Sequence, residues 1–263
     1  MIINCFKCGE IMQFNKFPSI ESFHNVIKNA SNINNPRVTY AAKIKLHGTN
    51  AGIMISKDKN IYCQSRKYFI TSEQDNYGFV SWVEKNRNIW ENINLHCTIF
   101  GEWFGPGIMN KTAANLVDEK YFAVFCIHNI ENNRMITNPN EINKIVPKHK
   151  NVIVIPNYVF SNNEILFDIN FNDNFDVYNK KDFLNNEIEK IEKVDPLIKD
   201  IFNIKGPGEG IVLYPVFEKT SKQDYKVFSF KVKGEKHKTV KQKKAVQIEP
   251  EKANSIDNFV DKV

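Results

Sequence analysis

The chain has 263 residues, 42% of them hydrophobic, with 36 lysines and arginines against 30 aspartates and glutamates. That length buries one sizeable core or two smaller ones, and the modest formal charge of +6 permits a polyanionic partner without demanding one. No apolar run approaches the roughly 18 residues that span a bilayer, and the start lacks the charged-then-apolar layout of a signal peptide. Five scattered cysteines argue against a disulfide framework and for an intracellular, reducing compartment such as the cytoplasm. Cys5-x-x-Cys8 is half of a zinc site, but a closed site needs four ligands and no second pair follows. Cys63, Cys97 and Cys126 read as thiols in strand cores.

Residues 1–37 read as an irregular lead with a helix over Ile20–Ala30, capped by Ser19. Strand patterns follow at 38–46, 51–56 and 60–64. Between the first two stands Lys45-Leu46-His47-Gly48-Thr49-Asn50, a tight turn that presents a lysine amine where the Gly48 backbone can approach a ligand. Phe79, Val80, Trp82, Val83, Ile89, Trp90 and Ile93 form a wide helical stripe over 76–93. Further strands are predicted at 97–104, 121–128, 151–155 and 157–161. Phe167, Ile169, Phe171, Phe175 and Val177 alternate with polar residues around Asn172-Asp173-Asn174, which predicts a hairpin. A helix at 180–193 then precedes strands at 210–217 and 225–233, and 250–263 starts like a helix. Hairpins with interspersed helices predict an α+β fold of mainly antiparallel sheets.

Glycine is scarce, yet six of the 11 glycines fall in two clusters, Gly101/Gly105/Gly107 and Gly206/Gly208/Gly210, each holding one acid, Glu102 or Glu209. Lys231 and Lys233 alternate on a strand, so both side chains leave one face. Two cations on one face call for an anion between them, and a nucleotide α-phosphate with Mg²⁺ fits. Neighbouring cations and a metal would favour the neutral, nucleophilic form of Lys45. Lys43 lies on the same strand face but lacks the glycine three residues on. From Lys231 to Lys244 there are seven lysines and one acid, a stretch suited to tracking a phosphate backbone. Taken singly, Phe122 is a core strand aromatic and Arg66 a surface arginine.

Together, Lys45-x-His47-Gly48-Thr49-Asn50, Gly101-Glu102-x-Phe104-Gly105-Pro106-Gly107, Phe122-Ala123-Val124-Phe125, Glu209-Gly210-x-Val212 and Lys231-x-Lys233 resemble the ordered motifs of the covalent nucleotidyltransferases. His47 with the following Gly-Thr-Asn resembles the RNA ligase 2 branch, the phage-type and RNA-editing RNA ligases; DNA ligases and capping guanylyltransferases usually carry Asp there. The lead Phe14–Glu21 is similar to the start of that branch, and the resemblance covers roughly residues 14–240.

The resemblance implies an ATP-grasp-like nucleotidyltransferase core over 1–240 and an ATP- and Mg²⁺-dependent (or Mn²⁺-dependent) RNA ligase. Lys45 would carry AMP, and the backbone around Lys43, Ile44 and Lys45 would read the adenine edge. Phe122 would stack on the ring, Glu102 would bind the ribose, and Arg66 would contact the ribose or the RNA 5′-phosphate. Asn50 would orient the phosphate or the 3′-OH end, Glu209 would hold the metal, and Lys231 and Lys233 would hold the α-phosphate. The implied partner is RNA, a nicked duplex or RNA–DNA hybrid, met by a monomer. The chain departs from the branch at Ile44, where a Glu is common. It departs again after Lys233, where the basic tail 241–263 stands in place of a helical C-terminal domain or begins one. DNA ligase, capping enzyme and a catalytically silent nucleic-acid-binding relative are the alternatives.

Overall fold

The computed structural model describes residues 2–4, 11–30 and 37–234. In chain order the first strands are β1 (Ile2–Asn4), β2 (Ile11–Gln13), β3 (Glu21–Ser22), β4 (Arg37–Ile44), β5 (Thr49–Ile55), β6 (Ile61–Ser65) and β7 (Phe69–Ile70). They are followed by β8 (Cys97–Phe104), β9 (Tyr121–Asn129), β10 (Arg134–Ile136), β11 (Val152–Val154), β12 (Leu166–Asn170), β13 (Gly210–Pro215) and β14 (Phe230–Lys233). The helices are α1 (Phe23–Ala30), α2 (Phe79–Lys85), α3 (Arg87–Trp90), α4 (Pro139–Ile145), α5 (Asn174–Lys193), α6 (Pro196–Phe202) and α7 (Lys222–Phe228). The fold is α+β.

A seven-stranded sheet runs β10-β9-β8-β5-β6-β7 with β11 beside β9, and a five-stranded sheet runs β12-β4-β13-β14-β3. All pairings in these sheets are antiparallel except β11 with β9 and β14 with β3. Strand alternation divides the core. Val38, Tyr40, Ala42 and Ile44 of β4 pack with Leu184, Ile188 and Ile191 of α5 and Val26 of α1. Ile99 and Trp103 of β8 pack with Phe79, Val80 and Val83 of α2 and Trp90 of α3. Ala41 and Tyr214 of the smaller sheet meet Phe100 and Cys126 of the larger one, with Phe17 and Tyr225 between them. Helices thus cover both outer faces, and the inner faces enclose a third cluster.

The expected strands over 38–64 and 97–128 form within two residues of their predicted ends, and Cys63, Cys97 and Cys126 are buried, free strand thiols. Several expectations are corrected. The first helix starts at Phe23 rather than Ile20, because Glu21 and Ser22 pair in parallel with Phe230 and Lys231. The 76–93 stripe is two helices, divided at Asn86, whose side chain caps the Trp82 carbonyl. The 167–177 hairpin does not form: Asp173 accepts from the Phe175 and Asp176 amides and starts α5 at Asn174. Aspartate suits turns and N-caps alike, and here the cap prevails. Residues 157–161 form no strand, because the Tyr158 hydroxyl and the Ser161 amide both bind Glu187. The 225–233 strand is α7 followed by β14, since Ser221 and Asp224 close a capping box. α4 and α6 were not predicted; Asn138-Pro139 and Asp195-Pro196 are their cap-plus-proline signals. The Cys5/Cys8 pair, the helix-like 250–263 segment, the tail from 241 and the lysines beyond Lys233 lie outside the described residues.

Asn15 anchors the lead to the larger sheet and to α7. Its amide donates 2.8 Å to Thr98 Oγ1 and lies 2.9 Å from His128 Nδ1, its side-chain oxygen accepts from Lys222, and its carbonyl accepts from Gln64. Asn15→Leu leaves three buried or half-buried polar groups without this partner. It is expected to destabilise by about 2–3 kcal/mol, read as a lower urea midpoint. An unchanged midpoint would remove the anchoring role.

Candidate active site

The cavity between the inner faces has a volume of about 380 Å³ and is lined from both sheets. The smaller sheet places the cations. Lys43 of β4 stands opposite Val212 of β13, and Val212 stands opposite Lys231 of β14. One row on, the Lys45 amide bonds to the Gly210 carbonyl at 2.9 Å, and Gly210 stands opposite Lys233. Cross-strand neighbours share a face, so four lysines converge. Gly210 makes the second row possible: its φ is +148°, and a Cβ there would lie 2.1 Å from the Val232 carbonyl.

Glu209 is only 2% exposed and binds three groups. Its Oε2 lies 2.6 Å from Lys45 Nζ and 3.3 Å from His47 Nδ1, and its Oε1 lies 2.5 Å from Lys233 Nζ. Burial alone would push this carboxyl up. The His47 hydrogen bond, the Lys45 charge and the Lys233 and Lys45 hydrogen bonds override it and hold the carboxyl well below the usual range. Lys231 donates to the Ile20 carbonyl at 2.6 Å, and burial followed by the charges of Lys233, Arg66 and Lys45 lowers its pKa.

The larger sheet supplies the opposite wall. Asn50 of β5 stands opposite Glu102 of β8, and Glu102 Oε1 accepts from the Gly48 amide at 3.1 Å. A Cβ on Gly48 would lie 2.4 Å from the Trp103 carbonyl, so only glycine lets the turn press onto β8. Burial raises the Glu102 pKa, with Lys45 opposing. Arg66, exposed after β6, lines the mouth. The structure therefore brings Ile44, Lys45, Asn50, Arg66, Glu102 and Glu209 to one cavity, with Lys231 and Lys233 beside it.

Phe122 is the exception. It is fully buried against Phe79 and Trp90, on the far side of the larger sheet. Phe125 lines the cavity instead. Phe100 pairs with Cys126 while Gly101 pairs with Val124, so Phe125 is the extra residue of a β-bulge. Alternation from the outward Phe122 and Val124 already turns Phe125 inward, and the bulge resets the alternation after it, so that Cys126 faces the inner cluster as well. Glu209 meets lysines and a histidine, and the described residues hold no group of three or more His, Cys, Asp or Glu placed for a metal. A divalent ion held through one carboxylate together with a ligand's phosphates matches such a donor set.

Sequence reading gave the Lys43 side chain no role, yet it is 3% exposed on the cavity floor. Its amine donates 2.9 Å to the Phe125 carbonyl and lies 5.7 Å from the Tyr214 ring. Burial pushes its pKa down to about 7, with nearby Cys126 opposing slightly. Below pH 7 the folded chain carries a charged, buried amine, and this cost fades only as pH rises toward 10.5. Lys43→Met is therefore expected to stabilise the fold by about 1–3 kcal/mol at pH 7, the lost Phe125 bond included. The gain should shrink steadily toward pH 10 in thermal melts. Destabilisation at pH 7 would contradict the assignment.

The RNA ligase family model matches residues 38–233. No curated protein matches the chain. Among solved structures, the Naegleria gruberi RNA ligase with PPi is 19% identical with a TM-score of 0.54, covering 84% of this chain and 56% of that one. An arginine-to-alanine mutant of that ligase with ATP and Mn is 17% identical at a TM-score of 0.56, with coverage of 86% and 58%. A glutamate mutant with AMP and Mn is 19% identical at 0.54, with coverage of 84% and 56%. The chain spans between 56% and 58% of the length of these structures, and at such identity the likeness is one of fold. The family match runs from Val38 to Lys233, through the Lys45 turn, Glu102, Glu209 and both β14 lysines, and the chain belongs to the RNA ligase family.

Proposed function

We propose that this chain is the nucleotidyl-transfer unit of an ATP-dependent RNA ligase that works through a lysyl-AMP intermediate. The reading is carried by Lys45 Nζ, 24% exposed in the cavity wall and 2.6 Å from a Glu209 carboxylate that also holds Lys233. Phe125 and the apolar end of the cavity take the base, and Glu102 accepts from the ribose. Lys231, Lys233 and Arg66 surround the α-phosphate. Glu209 Oε2, 2.6 Å from Nζ, positions the Lys45 amine, which gives its proton to solvent before it attacks. A divalent ion, when bound at Glu209, supplies further neutralisation of phosphate charge.

Lys45 Nζ attacks the α-phosphorus, a nitrogen–phosphorus bond forms, and the bond to the pyrophosphate oxygen breaks. Lys231 and Lys233 stabilise the charge that builds on the phosphoryl oxygens. An RNA 5′-phosphate oxygen then displaces Lys45, giving an AMP-capped end. A 3′-OH finally attacks that end and expels AMP. The preferred substrate is a nick in duplex RNA or an RNA–DNA hybrid, on the strength of the motif resemblance, and the exposed Arg66 at the mouth suits a phosphate there.

Incubation with α-labelled ATP and Mg²⁺ or Mn²⁺ is expected to label the protein in a denaturing gel, with an acid-labile bond that Lys45→Ala abolishes. No label with any divalent ion would sink the enzyme reading. Sealing of nicked RNA but not nicked DNA is expected, and the reverse result would move the substrate to DNA. Phe125→Ala should weaken ATP binding about tenfold, the loss of one stacking contact. Phe122→Ala should instead destabilise by about 3–5 kcal/mol and leave the affinity of the folded fraction unchanged. The opposite pattern would return the stacking role to Phe122.

A further inference from the structure

Phe17, Phe125, Ile155, Val212, Tyr214 and Tyr225 supply apolar lining to the cavity, and Phe17, Phe125, Tyr214 and Tyr225 pack together. Lys43 lies against this group, opposite Val212, bonded to the Phe125 carbonyl and 5.7 Å from the Tyr214 ring. Among the described residues its amine makes a single hydrogen bond, to the Phe125 carbonyl, and no ion pair. An ammonium has three N–H donors, so two remain for a ligand. Burying an unpaired cation is costly, and such groups concentrate at functional sites. Strand alternation explains why this residue faces the ligand. Ile44 turns its side chain into the core beside α5, while Lys43, opposite Val212, faces the cavity. The amine also caps the carbonyl of the residue whose ring lines the cavity. It therefore stands at the rim of that stacking surface.

We propose that Lys43 is the base-reading residue of the pocket, donating to an acceptor on the purine edge, and that the pocket consequently takes 6-oxopurine triphosphates as well as ATP. This rests on the reading of the cavity as a nucleotide site. Adenine presents ring-nitrogen acceptors, each beside its exocyclic amine or the sugar. Guanine and hypoxanthine add O6, an acceptor next to N7, and a lysine donor suits that pair better than the adenine edge. A carboxylate at the base edge would do the reverse, accepting from the adenine amine and repelling O6. The depressed pKa of Lys43, about 7, fits an amine kept without a countercharge until a ligand supplies an acceptor.

The test is equilibrium binding of ATP, GTP and ITP to the full chain by titration calorimetry, with covalent labelling of Lys45 scored separately. Wild type is expected to bind GTP and ITP within tenfold of ATP. Lys43→Met should weaken all three at least fivefold, the 6-oxopurines most. Lys43→Gln, which can both donate to and accept from adenine, should shift the ATP-to-GTP affinity ratio toward ATP by at least tenfold. Thermal melts of each variant separate misfolding from lost contacts. The proposal falls if wild type fails to bind GTP and ITP at concentrations that saturate with ATP. It falls equally if both variants keep the wild-type ratio within threefold. Binding ratios decide the role of Lys43, whereas missing label on Lys45 bears on the ligase reading alone.

Discussion

The buried carboxylate of Glu209 holds the site together. Three cationic or cation-forming groups, Lys45, His47 and Lys233, converge on its two oxygens. They arrive from two places in the chain: the β4–β5 turn supplies Lys45 and His47, and β14 supplies Lys233. A carboxylate so placed is costly to desolvate and is stable only while paired. The sheet register guarantees the pairing. Gly210 follows Glu209, accepts the Lys45 amide and lies opposite Lys233, so the backbone ladder carries both lysines to the carboxylate. Replacing Gly210 would force Val232 aside and break the row.

The two sheets divide the work. The smaller one aligns lysines in two rows and contributes the acid between them. The larger one contributes Glu102, held by the Gly48 amide, and the Phe125 ring on its inner face. The lead joins them. Phe17 packs on Phe100, Phe125 and Tyr225, and the Ile20 carbonyl takes the Lys231 amine. A segment that reads as an irregular approach to the first strand is thus part of the cavity wall, fixed through Asn15.

Much of this was legible because local and global signals agree. Strand, glycine turn and strand around Lys45 carry their own alternation, and β8 has the bounds its pattern predicts. Elements were misread where one residue type serves two ends. Asp173 and Ser221 can each open a turn or cap a helix, and only the packing of α5 and α7 decides between them. Phe122 and Phe125 differ in another way. Both stand in one apolar run, Phe122-Ala123-Val124-Phe125, and strict alternation would send them to opposite faces without saying which face holds the ligand. The bulge lies between Val124 and Cys126, and a register shift between partner strands leaves no mark in the sequence of either. Lys43 was visible as a neighbour of Lys45, but its burial depends on Tyr214, Phe125 and Cys126, residues 82 or more positions away.

The electrostatics of the cavity follow from the count of charges. Lys43, Lys45, Lys231, Lys233 and Arg66 gather around it, and Glu209 answers two of them, with Glu102 facing the opposite wall. Burial lowers the pKa of Lys43, and burial with the charges of Lys233, Arg66 and Lys45 lowers that of Lys231. On the proposed reading a polyphosphate would offset the clustered charge, because it brings several negative charges into the space that the lysines face. Binding and stability are then linked: whatever binds only the folded pocket stabilises the fold in proportion to its occupancy.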